Sequence, residues 1–142
     1  MAPNPVARLL GESGVLPEIV SDEDWDAALR SGLPVAALDA VTAEFGFTPG
    51  EIERCVVPRK TAARRRSRGE RLKPDESERL ARLARVALRA KETLGTAAEA
   101  VEWLRRRNRA LQSHSPLEML ATPEGARMVE VVLARSGSGL VS

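Results

Sequence analysis

The most concentrated charge in this chain lies between Arg59 and Lys73. Eight basic residues and a single acid, Glu70, give this segment a net charge of +7, whereas the whole chain of 142 residues carries +2. Like charges this close repel one another unless an anion is near, which favours a phosphate-binding surface over a solvated run of charge. No aromatic residue interrupts the run, which argues against stacking on single-stranded nucleic acid. The segment therefore predicts contact with double-stranded DNA.

Two short predicted helices carry this charge. Thr48-Pro49-Gly50-Glu51 is a capping box with proline at the first helical position, and Val57-Pro58 ends the helix that it begins. A further short helix follows, and two such helices behind two supporting helices predict a helix-turn-helix. On the second helix, roughly residues 59–66, we expect four residues to face the major groove and three to face phosphates. The first group is Lys60, Thr61, Arg64 and Arg65, and the second is Arg59, Arg66 and Arg68.

Groups that could perform catalysis or hold a metal ion are scarce. The single histidine, His114, lies between two serines, but adjacent residues rarely present the geometry that a nucleophile and its base require. We therefore expect His114 to be a surface loop residue. The single Cys55 excludes an internal disulfide, gives no metal-ligand spacing and is expected to be buried. The sequence thus predicts a protein that is not an enzyme and has no metal, cofactor or small-molecule substrate.

The elements that position these residues all follow helical patterns. Ser21 and three acids begin a helix that ends at Gly32, and Pro34 begins one that ends at Gly46. Thr96-Ala97-Ala98-Glu99 begins another with a hydroxyl cap and glutamate at the third position. No segment alternates with the period of a strand, so we expect an all-α fold of about seven helices.

Composition divides the chain into three parts. Residues 1–20 hold three of the nine prolines, and we expect a flexible N-terminal arm with a short helical turn near Val6 to Leu10 as an alternative. Residues 21–73 form the predicted helix-turn-helix DNA-binding region. Residues 74–142 form a second helical domain that begins with the longest helix, which runs to about Leu94.

The longest predicted helix has an alanine-rich apolar stripe. Leu80, Leu83, Ala84, Ala87 and Leu88 recur at a spacing of three and four residues. Small residues allow another helix to approach closely, and a two-fold DNA site requires two recognition helices. We therefore predict a homodimer that forms through this helix.

Two short helices and a small, uncharged tail complete the chain. Ser115-Pro116-Leu117-Glu118 and Thr122-Pro123 mark two helix starts. In the second helix Val129, Val132 and Leu133 recur at helical spacing with Met128 alongside, which predicts an apolar face from Met128 to Leu133. The residues SGSGLVS after Arg135 do not favour a helix, because each glycine costs about 1 kcal/mol there. A frayed terminus and a segment used by a partner are both open interpretations of this tail.

An ordered set of motifs runs through the last third of the chain. It consists of Trp103-Leu104, Asn108-Arg109-Ala110-Leu111, Ser115-Pro116-Leu117-Glu118-Met119-Leu120, Thr122-Pro123-Glu124-Gly125 and Gly139-Leu140-Val141-Ser142. In this order the motifs resemble the C-terminal toxin-binding domain of Xre/MbcA/ParS-type antitoxins, the partners of RES-domain toxins. The resemblance covers residues 75–142 well and the preceding segment more loosely. The chain departs from it at Arg109, where proline is usual, and at Gln112-Ser113-His114, where glycines are common.

The resemblance implies an antitoxin of a type II toxin-antitoxin system with an Xre-like helix-turn-helix in its N-terminal part. Its implied partner is a RES-domain toxin that consumes NAD, and its implied second role is repression of its own operon through operator DNA. The C-terminal domain would cover the toxin's active site, with the last helix docked and the tail from Gly137 to Ser142 acting as a plug. On this hypothesis the toxin-binding residues are Arg127, Glu130, Arg135, Gly139, Leu140, Val141 and Ser142.

Two other functions fit the same residues. The chain could be a helix-turn-helix transcriptional regulator whose C-terminal half only dimerises, or, ranked below that, a basic surface for RNA or membrane contact. No apolar run approaches the length that a membrane span needs, and no signal-peptide pattern opens the sequence. We therefore expect a cytoplasmic protein, and a neighbouring reading frame for a RES domain would separate the first two functions.

Overall fold

The computed structural model describes residues 4–11 and 19–137, and this part of the chain contains nine α-helices and no strand. The all-α prediction is confirmed. A short 3-10 turn, Arg109–Leu111, separates the seventh and eighth helices. The helices are α1 (Pro5–Leu10), α2 (Asp22–Ser31), α3 (Ala36–Phe45), α4 (Pro49–Cys55), α5 (Arg59–Arg68), α6 (Pro74–Leu94), α7 (Ala97–Arg105), α8 (Pro116–Met119) and α9 (Pro123–Gly137).

Four helix starts follow the predicted local signals, whereas α3 begins at Ala36, two residues after the predicted Pro34, and has no side-chain cap. The Thr48 hydroxyl accepts a hydrogen bond from the Glu51 amide at 3.1 Å, and the Glu51 carboxylate accepts one from the Thr48 amide at 2.8 Å. Ser21, Thr96 and Ser115 each accept a hydrogen bond from the amide three residues further on. Each cap satisfies a backbone donor that the first helical turn leaves unpaired, so a few adjacent residues determine these boundaries.

The longest helix, α6, lies at the centre of the fold. It packs against α1, α2, α7 and α9, and the stripe of Leu80, Leu83, Ala84 and Ala87 is at most 1% exposed within the single chain. Helices of the same chain already cover these four residues, so they are not available as the predicted homodimer interface. The small alanines serve close packing inside the monomer instead. Leu88, the fifth residue of the stripe, is half-buried and packs against the core. The homodimer itself stays a prediction.

The first helix, α1, belongs to the core. Leu9 and Leu10 are 5% and 0% exposed, and α1 packs against α3 and α6. The Asn4 side chain caps the helix by accepting hydrogen bonds from the amides of Val6 and Ala7. For residues 4–11 the expectation of a flexible arm is therefore wrong, because this segment buries apolar side chains that a loose arm would leave in water. The alternative of a short helix near Val6 to Leu10 is confirmed.

One apolar core and several side-chain bonds join the two halves of the chain. Arg79 of α6 donates a hydrogen bond to the Val56 carbonyl at 3.0 Å, and Arg82 donates one to the Leu120 carbonyl at 3.1 Å. Both carbonyls lie just after a short helix, where helical partners are lacking. The arginines of α6 thus hold the ends of α4 and α8 against the central helix.

Candidate functional site

The first candidate site is the outer surface of α5, the second helix of the predicted helix-turn-helix. Val56, Val57 and Pro58 separate it from α4, and both valines are at most 2% exposed. Because the turn is anchored in the core, the two helices are held at a fixed angle. The geometry agrees with the predicted motif, although the second helix extends to Arg68 rather than Arg66.

A buried ion pair fixes the rotation of α5 about its axis. The Arg65 guanidinium pairs with the Glu76 carboxylate of α6, and both side chains are 8% exposed. Thr61 and Ala62 are half-buried beside Arg65. The prediction that Arg65 faces the major groove is therefore wrong, because its charge is already neutralised inside the protein. Thr61 offers only a partly exposed side chain.

The opposite side of α5 presents four exposed residues at a spacing of three and four, namely Lys60, Ala63, Arg64 and Ser67. Lys60 and Arg64 belong to the predicted DNA-binding set, whereas Ala63 and Ser67 were not part of it. The concentration of positive charge in the sequence identifies only the cations. Helical periodicity counted from Lys60 identifies the two small residues as well. A surface of this composition can place cations at phosphates or guanine edges and approach the bases closely at its small residues.

The other predicted phosphate-binding arginines flank this surface. Arg59 and Arg68 are exposed. Arg66 donates two hydrogen bonds to the Asp39 carboxylate of α3, at 2.7 Å and 3.0 Å. The flanking cations are therefore not equivalent, because one of them already has an acidic partner within the chain.

The second candidate site is the outward side of α9. Met128 and Val131 are 45% and 51% exposed on this helix, with Arg127 and Arg135 exposed beside them. Of the predicted apolar face of α9, Val129, Val132 and Leu133 are buried, whereas Met128 is exposed. An exposed apolar strip bordered by cations is typical of a protein-binding surface.

The predicted toxin-binding residues have different surroundings. Glu130 is 19% exposed and accepts a hydrogen bond from Arg85 at 2.8 Å, with Arg89 at 3.6 Å, so it ties α9 to α6. Arg127 lies 3.7 Å from Glu124 on the same exposed face. The helix continues to Gly137, two residues beyond its predicted end at Arg135. Gly139, Leu140, Val141 and Ser142 lie outside the described residues.

The loop before α8 contains two residues in the left-handed region of the backbone. Gln112 and Ser113 have φ angles of 56° and 66°, a conformation that glycine adopts more readily. They are two of the three positions, 112 to 114, at which the resemblance implies glycine. The neighbouring His114 is exposed, as expected, and lies 3.1 Å from the Glu118 carboxylate. That hydrogen bond lowers the pKa of the Glu118 carboxyl.

A cleft of about 260 Å³ lies between α4, α7 and α8, and Cys55 lines it. Cys55 is 4% exposed, which agrees with the prediction of a buried cysteine, and burial raises the pKa of its thiol to about 11. It stays protonated at neutral pH and is a poor nucleophile. No group of three or more potential ligands that could hold a metal ion occurs among residues 4–11 and 19–137. No helix in the described part of the chain has the length and apolar character to cross a membrane.

Two family models match adjacent parts of the chain. The antitoxin Xre-like helix-turn-helix domain matches residues 24–85, which include α5 and its supporting helices. The antitoxin Xre/MbcA/ParS C-terminal toxin-binding domain matches residues 89–139, which include α9. Each candidate site therefore falls in a different matched domain.

Curated relatives cover most of the chain. A protein named antitoxin Xre from Photorhabdus laumondii is 34% identical over 98% of this chain and 92% of its own length. Proteins of the same name from Pseudomonas putida and Yersinia enterocolitica are each 30% identical. The first match covers 87% of this chain and 77% of the relative, and the second covers 81% and 79%.

Proposed function

Because this chain belongs to the Xre family of antitoxins, we propose that it neutralises a RES-domain toxin and represses its own operon. The toxin would consume NAD, and the antitoxin would block its active site. The helix-turn-helix would bind double-stranded operator DNA. The two activities are assigned to the two separate surfaces described above.

The exposed strip on α9 carries the toxin-binding part of this proposal. Met128 and Val131 expose apolar surface, whereas the other large apolar residues of this helix are buried. The matched toxin-binding domain includes both exposed residues. Covering this strip with a partner removes apolar surface from water, which is favourable by about 25 cal/mol for each Å² buried. Arg127, with the Glu124 carboxylate at 3.7 Å, borders the strip and gives it a charged rim of both signs, which a partner surface with complementary charges can match.

The tail after Gly137 is assigned a role within the same inhibitory surface. It follows directly from α9, so it starts at the end of the proposed docking helix. Leu140 and Val141 supply apolar side chains, and no charged side chain follows Arg135. A tail without charged side chains enters a narrow cleft at little desolvation cost. We assign the tail to the toxin's pocket on this ground.

The side of α5 that faces outward supports the DNA-binding part of the proposal. The ion pair between Arg65 and Glu76 directs Lys60, Ala63, Arg64 and Ser67 away from the core. The exposed cations are suited to phosphate contact, and a protruding helix face of this size fits the major groove. A homodimer would place two such faces on a two-fold operator. Its interface must lie away from the buried stripe of α6.

A transcriptional regulator whose C-terminal half only dimerises is the alternative function. The two functions differ in what the exposed face of α9 contacts. In the antitoxin it contacts a toxin, and in the regulator it contacts another copy of the chain. The deciding experiment measures NAD consumption by a RES-domain protein encoded beside this gene, with increasing amounts of the purified chain. Inhibition at stoichiometric amounts supports the antitoxin. Undiminished NAD consumption, together with self-association through α9, supports the regulator.

A further inference from the structure

Among the described residues, the Arg66 guanidinium is the one flanking guanidinium of the proposed DNA-binding surface that an acid from another helix, Asp39, engages. The Glu53 carboxylate of α4 accepts a hydrogen bond from the backbone amide of Arg59 and not from its side chain. The two terminal nitrogens of Arg66 donate to the two carboxylate oxygens of Asp39 at 2.7 Å and 3.0 Å. This paired arrangement is more specific in geometry than a single hydrogen bond. The two side chains are 51% and 59% exposed, so the pair lies at the surface.

Arg66 is placed where it could otherwise contact DNA. It is three residues after Ala63 on α5, at the edge of the exposed face that also includes Ser67. Phosphates of a duplex that receives this face in its major groove run along its edges. Arg59, at the other end of the same edge, has no comparable side-chain partner in the part of the chain described.

We propose that Asp39 sets the affinity of this protein for the DNA backbone by neutralising Arg66. The proposal rests on the DNA-binding function assigned to α5. The guanidinium in this pair still has three of its five N–H groups available, but the pair as a whole has no net charge. Affinity for phosphates depends on the positive charge that displaces counterions from DNA. Asp39 therefore lowers binding to DNA of any sequence while leaving Lys60 and Arg64 free to contact bases and phosphates.

The size of the effect follows from the salt dependence of DNA binding. Each phosphate that a protein neutralises contributes a slope of about −0.9 in log affinity against log salt. Over the tenfold change from 1 M to 0.1 M salt, this slope corresponds to about an eightfold change in affinity. Releasing Arg66 to one phosphate should therefore strengthen binding by about eightfold at 0.1 M salt, relative to equal binding at 1 M. An exposed pair contributes little to folding stability, so its removal should leave the unfolding midpoint nearly unchanged.

The experiment measures fluorescence anisotropy of a labelled 20-bp duplex of arbitrary sequence, titrated with the full chain at several KCl concentrations. Asp39→Asn is compared with Asp26→Asn, which removes one exposed acid from α2. We expect Asp39→Asn to steepen the salt slope by about 0.9 and tighten binding about eightfold at 0.1 M. Asp26→Asn should match the wild type, and adding Arg66→Gln to Asp39→Asn should restore the wild-type slope.

Two results would overturn the proposal, and they are distinguishable from failure of the DNA-binding function. If Asp39→Asn and Asp26→Asn bind alike, Asp39 has no special role. If Asp39→Asn binds more weakly, Asp39 instead positions Arg66 for a phosphate. In both cases the wild type still binds DNA with a measurable salt slope. A wild type that shows no salt-dependent binding would contradict the DNA-binding function itself, and this proposal with it.

Discussion

Arg105 of α7 donates two hydrogen bonds to the carboxylate of Glu51 on α4, from Nε at 2.7 Å and from a terminal nitrogen at 2.9 Å. The same guanidinium donates to the Gly46 carbonyl at 3.1 Å. Glu51 also caps α4 by accepting the Thr48 amide. One carboxylate thus holds the start of the helix-turn-helix against the toxin-binding domain.

This pair predicts a pH-dependent contribution to stability. Burial by itself would raise the pKa of Glu51, but the hydrogen bonds from Arg105 and Thr48 hold it below its ordinary value of 4.5. A carboxyl with a lowered pKa stabilises the fold fully above its unfolded-state pKa, and that stability is lost as the pH falls through the folded-state pKa. We expect Glu51→Gln to cost about 1–2 kcal/mol at pH 7, since Arg105 is partly exposed.

Urea unfolding of the wild type and Glu51→Gln between pH 7 and about pH 2 tests this expectation, because the folded-state pKa lies below 4.5. The difference between their free energies of unfolding should shrink as the pH falls below 4.5. Glu92→Gln, which alters an exposed acid on α6, is the matched control and should behave as the wild type throughout. A difference for Glu51→Gln that stays constant with pH would contradict the lowered pKa.

Neighbouring arginines of α5 should differ in their roles. Arg65→Ala leaves the Glu76 carboxylate buried without its partner, which typically costs 3–5 kcal/mol, so we expect loss of folding stability. Arg64→Ala should keep the wild-type unfolding midpoint and weaken DNA binding, with a salt slope shallower by about 0.9 for a phosphate contact. Thermal unfolding and anisotropy of both variants provide the test. An Arg65→Ala protein that is stable and impaired only in DNA binding would overturn the assignment.

Gly125 explains part of the Thr122-Pro123-Glu124-Gly125 motif. A Cβ atom at this position would lie 1.9 Å from the Met119 carbonyl oxygen, a backbone atom that cannot move aside without shifting α8. We expect Gly125→Ala to destabilise the protein by about 1–3 kcal/mol through overpacking. Gly50→Ala is the control, because its Cβ would meet its nearest atom at 3.9 Å and α4 gains a better helix former. Equal unfolding midpoints for the two variants would contradict the steric account.

Features that depend on adjacent residues could be predicted from the sequence, whereas features that depend on residues distant in the chain could not. Helix starts at Thr48 and Ser115 could be predicted because a hydroxyl and a nearby backbone amide suffice to form the cap. The burial of Arg65 could not, because its partner Glu76 lies on the next helix and nothing in the spacing of the arginines distinguishes it. The stripe on α6 was predicted correctly as apolar, but periodicity does not say whether the same chain or a second copy covers it.

The tail after α9 should contribute to inhibition and little to folding. A chain that ends at Gly137 keeps the whole of α9, so we expect the same unfolding midpoint and the same DNA affinity as the full chain. We expect it to inhibit the toxin only at higher concentration, because it lacks the tail that we propose to enter the active-site cleft. NAD consumption against antitoxin concentration measures the difference. Coincident inhibition curves would assign the blocking surface to the helices alone.

The central claim is that the outward face of α9 binds the toxin, and substituting Val131 tests it most directly. Val131→Asp places a charge in the apolar strip, whereas Val20→Asp makes the same change at a valine that is 65% exposed in the other half of the chain. A charge buried at an interface costs more than the 1.4 kcal/mol that corresponds to about tenfold in affinity. In the NAD-consumption assay, the account predicts that Val131→Asp requires at least about tenfold more protein for half-inhibition, while Val20→Asp inhibits as the wild type does. Equal inhibition by both folded variants would contradict the claim.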